Sequence, residues 1–193
     1  FNPHLDYKAF MVPGLMVMLL TMLTGFLPAL NIVGEKETGT IEQMNVSPVR
    51  PWTLILSKLI PYWTLGLFVL MLAMGLAATL FGLTPAGGVG NILIFTLLYL
   101  LVMSGLGICV SNIAGTMQQA MFVMYFFTMI FFLMSGLFTP ITSMPQWAQM
   151  LTYLNPLRYF IEAMRSIYLK GSGLTDLLPQ LGSLVAYALA SCS

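Results

Sequence analysis

Two apolar runs, each long enough to cross a bilayer, flank one short polar connector. That alternation constrains the fold more than any other feature of the chain. A helix rises 1.5 Å per residue, so about 20 apolar residues cross roughly 30 Å of hydrocarbon. The first run extends from about Phe10 to Val33, with no charge inside and Pro13 in its first turn, where a missing N–H costs least. The second runs from about Trp52 to Phe81, and Pro61 with Gly66 predicts a kink in it. Only 7% of the 193 residues are charged, whereas 59% are hydrophobic. A soluble domain carries about 25% charged residues to wet its surface, so most of this chain's outside faces lipid. The expected fold class is all-α, a polytopic transmembrane helical bundle forming one domain over residues 1–193.

Further along, Gly82 to Gly90, with Pro85 and Gly87-Gly88, reads as a short turn. The third span is expected over 91–112 and the fourth over 118–138, joined by Ile113 to Met117. A fifth is expected over 174–193. The chain opens without Met or a basic leader and ends in mid-apolar run, which reads as a fragment. Between Thr139 and Gly173, Pro140, Pro145 and Pro156 divide the chain into short pieces. Trp147, Tyr153, Tyr159 and Tyr168 there supply rings suited to a membrane interface. Asn155 can cap a helix, Pro156 suits its first turn and Gly171 can end it. Leu157, Phe160, Ile161, Met164 and Tyr168 share one face of that helix, and Arg158, Glu162 and Arg165 another. Too short to span, it lies at or dips into the interface beside the fourth and fifth spans.

Several chemistries are excluded. Cys109 and Cys192 read as inert small hydrophobes, with a disulfide or metal pair the remote alternative. His4 has no second His or Cys at ligand spacing, so no metal site is expected. No G-x-x-x-x-G-K-[ST] loop occurs, and no Ser/His/Asp or Cys/His set exists. No catalytic residues are assigned. Paired intramembrane carboxylates are also absent, since Glu162 and Asp176 fall at span edges. The net charge of +1, with no basic block, gives no sign of nucleic-acid binding. Lys36, Arg50 and Lys58 on one side stand against Lys8, Arg158, Arg165 and Lys170 on the other, so charge alone leaves the orientation open.

The connector, residues 34–51, holds five of the thirteen charged side chains. Thr40 to Val46 reads as a short helical run stopped by Ser47-Pro48. Ile41, Met44 and the stem of Gln43 suit a groove on a partner, while Glu35, Glu37 and Glu42 suit basic residues there. The competing reading is a solvated hairpin. In the third span Gly107, Ser111 and Gly115 form a small-residue stripe for intramolecular packing or a dimer seam. In the fourth, Phe122, Tyr125, Phe126, Met129 and Phe132 form a stripe that either packs and meets lipid or walls a drug or lipid path.

Glu35-Lys36-Glu37-Thr38-Gly39-Thr40-Ile41-Glu42, then Val46-Ser47-Pro48-Val49 and Leu56 to Tyr62, resembles the E-x-E-x-G-T-x-E…S-P…K-x-x-P-Y signature of ABC-2-type exporter permeases. Ser135 to Ile141, Met144 to Trp147, Asn155 to Tyr159 and Ile161 to Arg165 are similar to that family's region between its fifth and sixth spans. The resemblance, closest to bacterial multidrug-efflux-like permeases, covers essentially the whole chain. It implies a six-span membrane domain whose first helix precedes Phe1, with cytoplasmic termini in a bacterial inner membrane. The missing first helix and the tail from about Ala188 depart from the pattern.

On that resemblance, Glu35, Glu37, Thr38, Gly39, Thr40, Ile41, Glu42 and Met44 couple to an ABC ATP-binding subunit, which holds ATP and Mg. This chain itself carries no cofactor. A second permease copy or paralogue and the lipid bilayer are the other partners. Phe122, Tyr125, Phe126 and Met129 line a possible substrate path. Residues 139–171 form short outer helices that help seal the exit, with Arg158, Glu162 and Arg165 as a polar trio. The alternative function is a non-ABC channel or assembly scaffold that docks a soluble partner through the same connector.

Overall fold

The structure, a computed structural model, describes residues 3–40, 50–138, 141–171, 173 and 176–192. Among these, all regular structure is helical. Helix α1 spans Pro3–Thr21, passes through a π turn at Met22–Phe26, and continues as α2, Leu27–Glu37. The wide turn has a local cause. Pro28 cannot donate to the carbonyl one turn back, and its ring crowds that turn, so the helix widens just before it. Pro13 therefore sits inside a helix that starts well before it, not in a first turn.

Helix α3, Pro51–Phe81, is 31 residues long and runs through Pro61 as one helix. It ends at Gly82, whose φ of +65° is a left-handed cap that favours glycine. Helix α4, Val89–Ile113, follows, and a tight turn leads to α5, Met117–Leu133. Thr116 caps α5 by accepting the Gln119 N–H. Helix α5 is 17 residues, about 26 Å at 1.5 Å per residue, shorter than the expected fourth span. The chain turns at Ser135, whose hydroxyl donates to the Phe132 carbonyl, and at Gly136, with φ of +78°. Then come α6, Gln146–Thr152, α7, Pro156–Arg165, a π segment Ser166–Lys170, and α8, Leu178–Cys192. By length and composition Met11–Glu37, Trp52–Phe81 and Val89–Ile113 are long and apolar enough to cross a membrane, with Met117–Leu133 and Leu178–Ala190 shorter.

The core lies where α1, α3, α4, α7 and α8 meet. Tyr99 of α4 stacks on Phe160 of α7 with ring centroids 4.2 Å apart, and both are fully buried. The Tyr99 hydroxyl shares a 2.5 Å hydrogen bond with Thr21 of α1, which in turn donates to the Val17 carbonyl. A hydroxyl buried in apolar surroundings needs such a partner. Small residues bring α4 close to the π turn: a Cβ on Gly107 would lie 3.0 Å from the Gly25 carbonyl oxygen and 3.6 Å from the Ala29 Cβ. Gly107 and Ser111 are thus buried packing positions, while Gly115 lies beyond the helix and is exposed.

Helix α7 is an amphipathic element set into the bundle. Asn155 caps it by accepting from Leu157 N–H, and its amide donates 2.7 Å to the Phe131 carbonyl near the end of α5. At the far end the Gly87 N–H donates to the Ile167 carbonyl, which ties the continuation of α7 to the α3–α4 loop. This short helix therefore dips inward from one end of the bundle. It packs on α8, the helix of the expected fifth span, and on α1 and α4, and only slightly on α5. Its expected place beside the fifth span therefore holds, while the fourth span is a lesser neighbour than expected. Tyr168 is buried with its hydroxyl on Met16 Sδ rather than at an interface, whereas Trp147 and Tyr153 are exposed.

Candidate functional site

Polar chemistry gathers at the end of the bundle opposite the α3–α4 loop, where α2 ends in Glu35, Lys36 and Glu37. Successive helix residues point about 100° apart, so these charges fan out to different neighbours. The Glu35 carboxylate pairs with Lys58 of α3. One turn back, the Asn31 amide donates 2.6 Å to the Tyr62 hydroxyl, so residues four apart on α2 meet residues four apart on α3. The Lys36 ammonium lies 3.4, 3.4 and 3.2 Å from the carbonyl oxygens of Ser111, Asn112 and Ala114 at the end of α4. The Glu37 carboxylate accepts the Met117 N–H at 2.9 Å, at the start of α5. A cation at a helix C-terminus and an anion at an N-terminus each match the local helix dipole.

Past these charges the chain leaves the helix. The Thr38 hydroxyl donates to the Gly34 carbonyl at 3.0 Å and shares a hydrogen bond of 3.0 Å with Thr40, and Gly39 adopts φ of +76°. Among the described residues nothing lies within 4 Å of a Cβ built on Gly39, and its positive φ is the conformation that favours glycine. Ile41, Glu42 and Met44, and the rest of the expected helical run to Val46, lie outside the described residues. Of the coupling residues expected from sequence, Glu35 and Glu37 are thus engaged within the chain, and Thr38, Gly39 and Thr40 form the exit from α2. Sequence reasoning missed Lys36, Lys58, Asn31 and Tyr62 as partners. Their signal was present: Lys58 and Tyr62 stand four apart in the Leu56-to-Tyr62 stretch, and Asn31 stands four before Glu35, which opens the first stretch.

On α5, Phe122, Tyr125, Phe126 and Met129 all project outward and are exposed, but Phe132 is buried in the core. Phe132 lies seven residues past Tyr125, only about 20° around the helix from it, but near the end of α5 it joins the main core cluster. Two apolar clefts lie nearby. One, of about 110 Å³, sits between α4 and α5 and is lined by Met103, Val110, Met124, Phe127, Thr128 and Phe131. The other, of about 330 Å³, opens between α3 and α4, lined by Trp52, Leu59, Trp63, Leu101, Ser104 and Cys109 among others. None of the four outward residues lines either cleft. Cys109 is exposed rather than buried. Among the described residues no cluster of His, Cys, Asp or Glu is grouped to hold a metal.

On α7, Arg158 Nε lies 3.0 Å from Glu162 Oε1, and its Nη1 donates 2.6 Å to the Thr152 hydroxyl. The guanidinium also covers the Tyr153 ring at 4.7 Å. Glu162 therefore bonds to Arg158. Burial pulls the Arg165 guanidinium below its ordinary value, and the Glu162 carboxylate opposes that shift. The Tyr153 carbonyl accepts from the hydroxyls of Tyr159 at 3.0 Å and Tyr187 at 2.6 Å, which fastens α6 and α7 to α8.

A family model described as ABC-2 type transporter matches residues 3–169. The chain is 33% identical over 174 residues to the probable multidrug ABC transporter permease YbhR of Escherichia coli K12, covering 90% of this chain and 47% of that one. It is 30% identical over 175 residues to the probable multidrug ABC transporter permease YbhS of the same strain, covering 89% and 46%. Over 193 residues it is 30% identical to that strain's inner membrane transport permease YhhJ, covering 96% and 50%. The chain spans about half the length of the curated relatives it matches.

Proposed function

Because the chain belongs to the ABC-2 type transporter family, we propose that it is part of the membrane permease of an ATP-binding-cassette exporter in a bacterial inner membrane. A separate ATP-binding subunit drives it through the connector after Gly39. The observation that carries this reading is the family match across residues 3–169, joined to a polar connector that leaves one end of an apolar bundle. ATP and Mg belong on the partner subunit, so the hydrolytic step is made elsewhere and this chain moves in response. Its cargo is hydrophobic or amphipathic, a drug, lipid or glycan. The supporting features are the apolar clefts beside α4 and the exposed aromatic face of α5. A second copy or paralogue completes the translocation path, with the outer segment 139–171 over its exit.

The test is co-expression of the full-length protein with its ATP-binding subunit, followed by purification and ATP-dependent transport in proteoliposomes. Retention of the subunit with ATP-driven accumulation of an amphipathic dye supports the reading. Passive dye flux that ignores ATP, with no subunit retained, points instead to a channel.

A further inference from the structure

We propose that Glu35, Lys36 and Glu37 are a transmission clasp, carrying movement of the connector into α3, α4 and α5 together, rather than a surface that touches the ATP-binding subunit. This inference rests on the reading of the chain as a permease driven through its connector. Each of the three charged groups is already engaged inside the chain: Glu35 on Lys58, Lys36 on the carbonyls ending α4, and Glu37 on the Met117 N–H. Lys36 and Glu37 remain exposed, yet each already directs a charge-assisted bond at a neighbouring helix end.

Geometry explains why these positions suit transmission. The contact between Asn31 and Tyr62 adds a second rung, so α2 and α3 are held in register at two points along antiparallel helices. Only Ala114, Gly115 and Thr116 separate α4 from α5. Lys36 holds one side of that turn and Glu37 the other, so α4 and α5 must follow α2 as one unit. Gly39 then marks the division of labour, with engaged charges before it and the outgoing connector after it. Without the clasp, a push on the connector would tilt α2 and leave its neighbours behind.

The test uses the full-length protein with its ATP-binding subunit, reading subunit retention and dye transported per ATP hydrolysed. Lys36→Met and Glu37→Leu should keep the subunit through purification while transport per ATP falls about tenfold, the loss expected of one charge-assisted hydrogen bond. Glu37→Gln retains an oxygen acceptor for the Met117 N–H and should lose much less than Glu37→Leu. Exchanging the pair, Glu35→Lys with Lys58→Glu, should recover most of what Glu35→Lys alone loses. Loss of the subunit from Lys36→Met or Glu37→Leu would make these side chains docking contacts, overturning the clasp and leaving the permease reading intact. Unchanged transport per ATP in both would also overturn it. A wild-type protein that retains no subunit would overturn the permease reading itself, and the clasp's role with it.

Discussion

Tyr99 lies flat on Phe160, with 4.2 Å between ring centroids and 12° between planes, and its hydroxyl reaches Thr21 on the far side. One residue thereby joins the inserted helix α7 to both α4 and α1. Phe160→Ala should cost about 3–5 kcal/mol, because it removes a buried ring and leaves a cavity among fixed helices. Tyr99→Phe should cost about 1 kcal/mol, since it keeps the stack and loses one hydrogen bond. Thermal unfolding in detergent, followed by monodispersity on size exclusion, ranks the two.

Helix crossing at Gly107 predicts a contrast between glycines. Gly107→Ala places a methyl group 3.0 Å from a backbone oxygen that belongs to another helix, and overpacking of this kind costs about 1–3 kcal/mol. At Gly75, exposed on α3, a Cβ meets nothing within 4 Å among the described residues, so Gly75→Ala should be neutral or stabilising by up to about 1 kcal/mol. The same unfolding measurement separates them.

The ion pair on α7 gives a third. Arg158 is 16% exposed and Glu162 38%, so the pair lies between the surface and buried limits. Arg158→Met should destabilise by about 2 kcal/mol and Glu162→Gln by about 1 kcal/mol. If the pair also steadies the outer segment over the exit, Glu162→Gln lowers transport at normal expression. Sequence spacing placed Glu162 within reach of both Arg158 and Arg165, and the structure shows its bond to Arg158. The charge exchange Arg158→Glu with Glu162→Arg should then recover only part of the loss, because the Thr152 contact does not return. Unaltered transport in Glu162→Gln would leave the pair with a structural role alone.

Sidedness gives a fourth. The Gly87–Ile167 hydrogen bond puts the end of the outer segment beside the α3–α4 loop, at the end of the bundle opposite Lys58 and Met117. A cysteine at Gln146 should therefore react with a membrane-impermeant maleimide from outside intact cells, and one at Gln43 only after permeabilisation. The reverse pattern would invert the orientation that the lysine and arginine count leaves open.

Much of this architecture was legible in the sequence because its signals are local. Long apolar runs marked the long helices, Gly82 marked the end of α3, and Asn155-Pro156 marked the start of α7. Features that depend on packing were not legible. The π turn is a response of α1 and α2 to Pro28, and the early end of α5 follows from the left-handed turn at Gly136. The depth of α7 is set by the partners of Phe160 and Asn155, which lie on α4 and α5 and leave no mark at positions 155–165. In the connector, the sequence showed that charge was concentrated there but not which way each charge points. Three consecutive residues on one helix meet three different neighbours, and that depends on where α3, α4 and α5 sit.

The central claim, that an external ATPase moves these helices through the connector, is tested most directly by ATP hydrolysis of the purified complex with and without transported dye. Thr40→Pro and Glu42→Arg alter the connector beyond Gly39 and leave every membrane-length helix unchanged. Both variants should insert and express normally, yet lose the dye-stimulated part of ATP hydrolysis. Normal dye-stimulated hydrolysis and transport in both variants would contradict the account and reduce the connector to a loop.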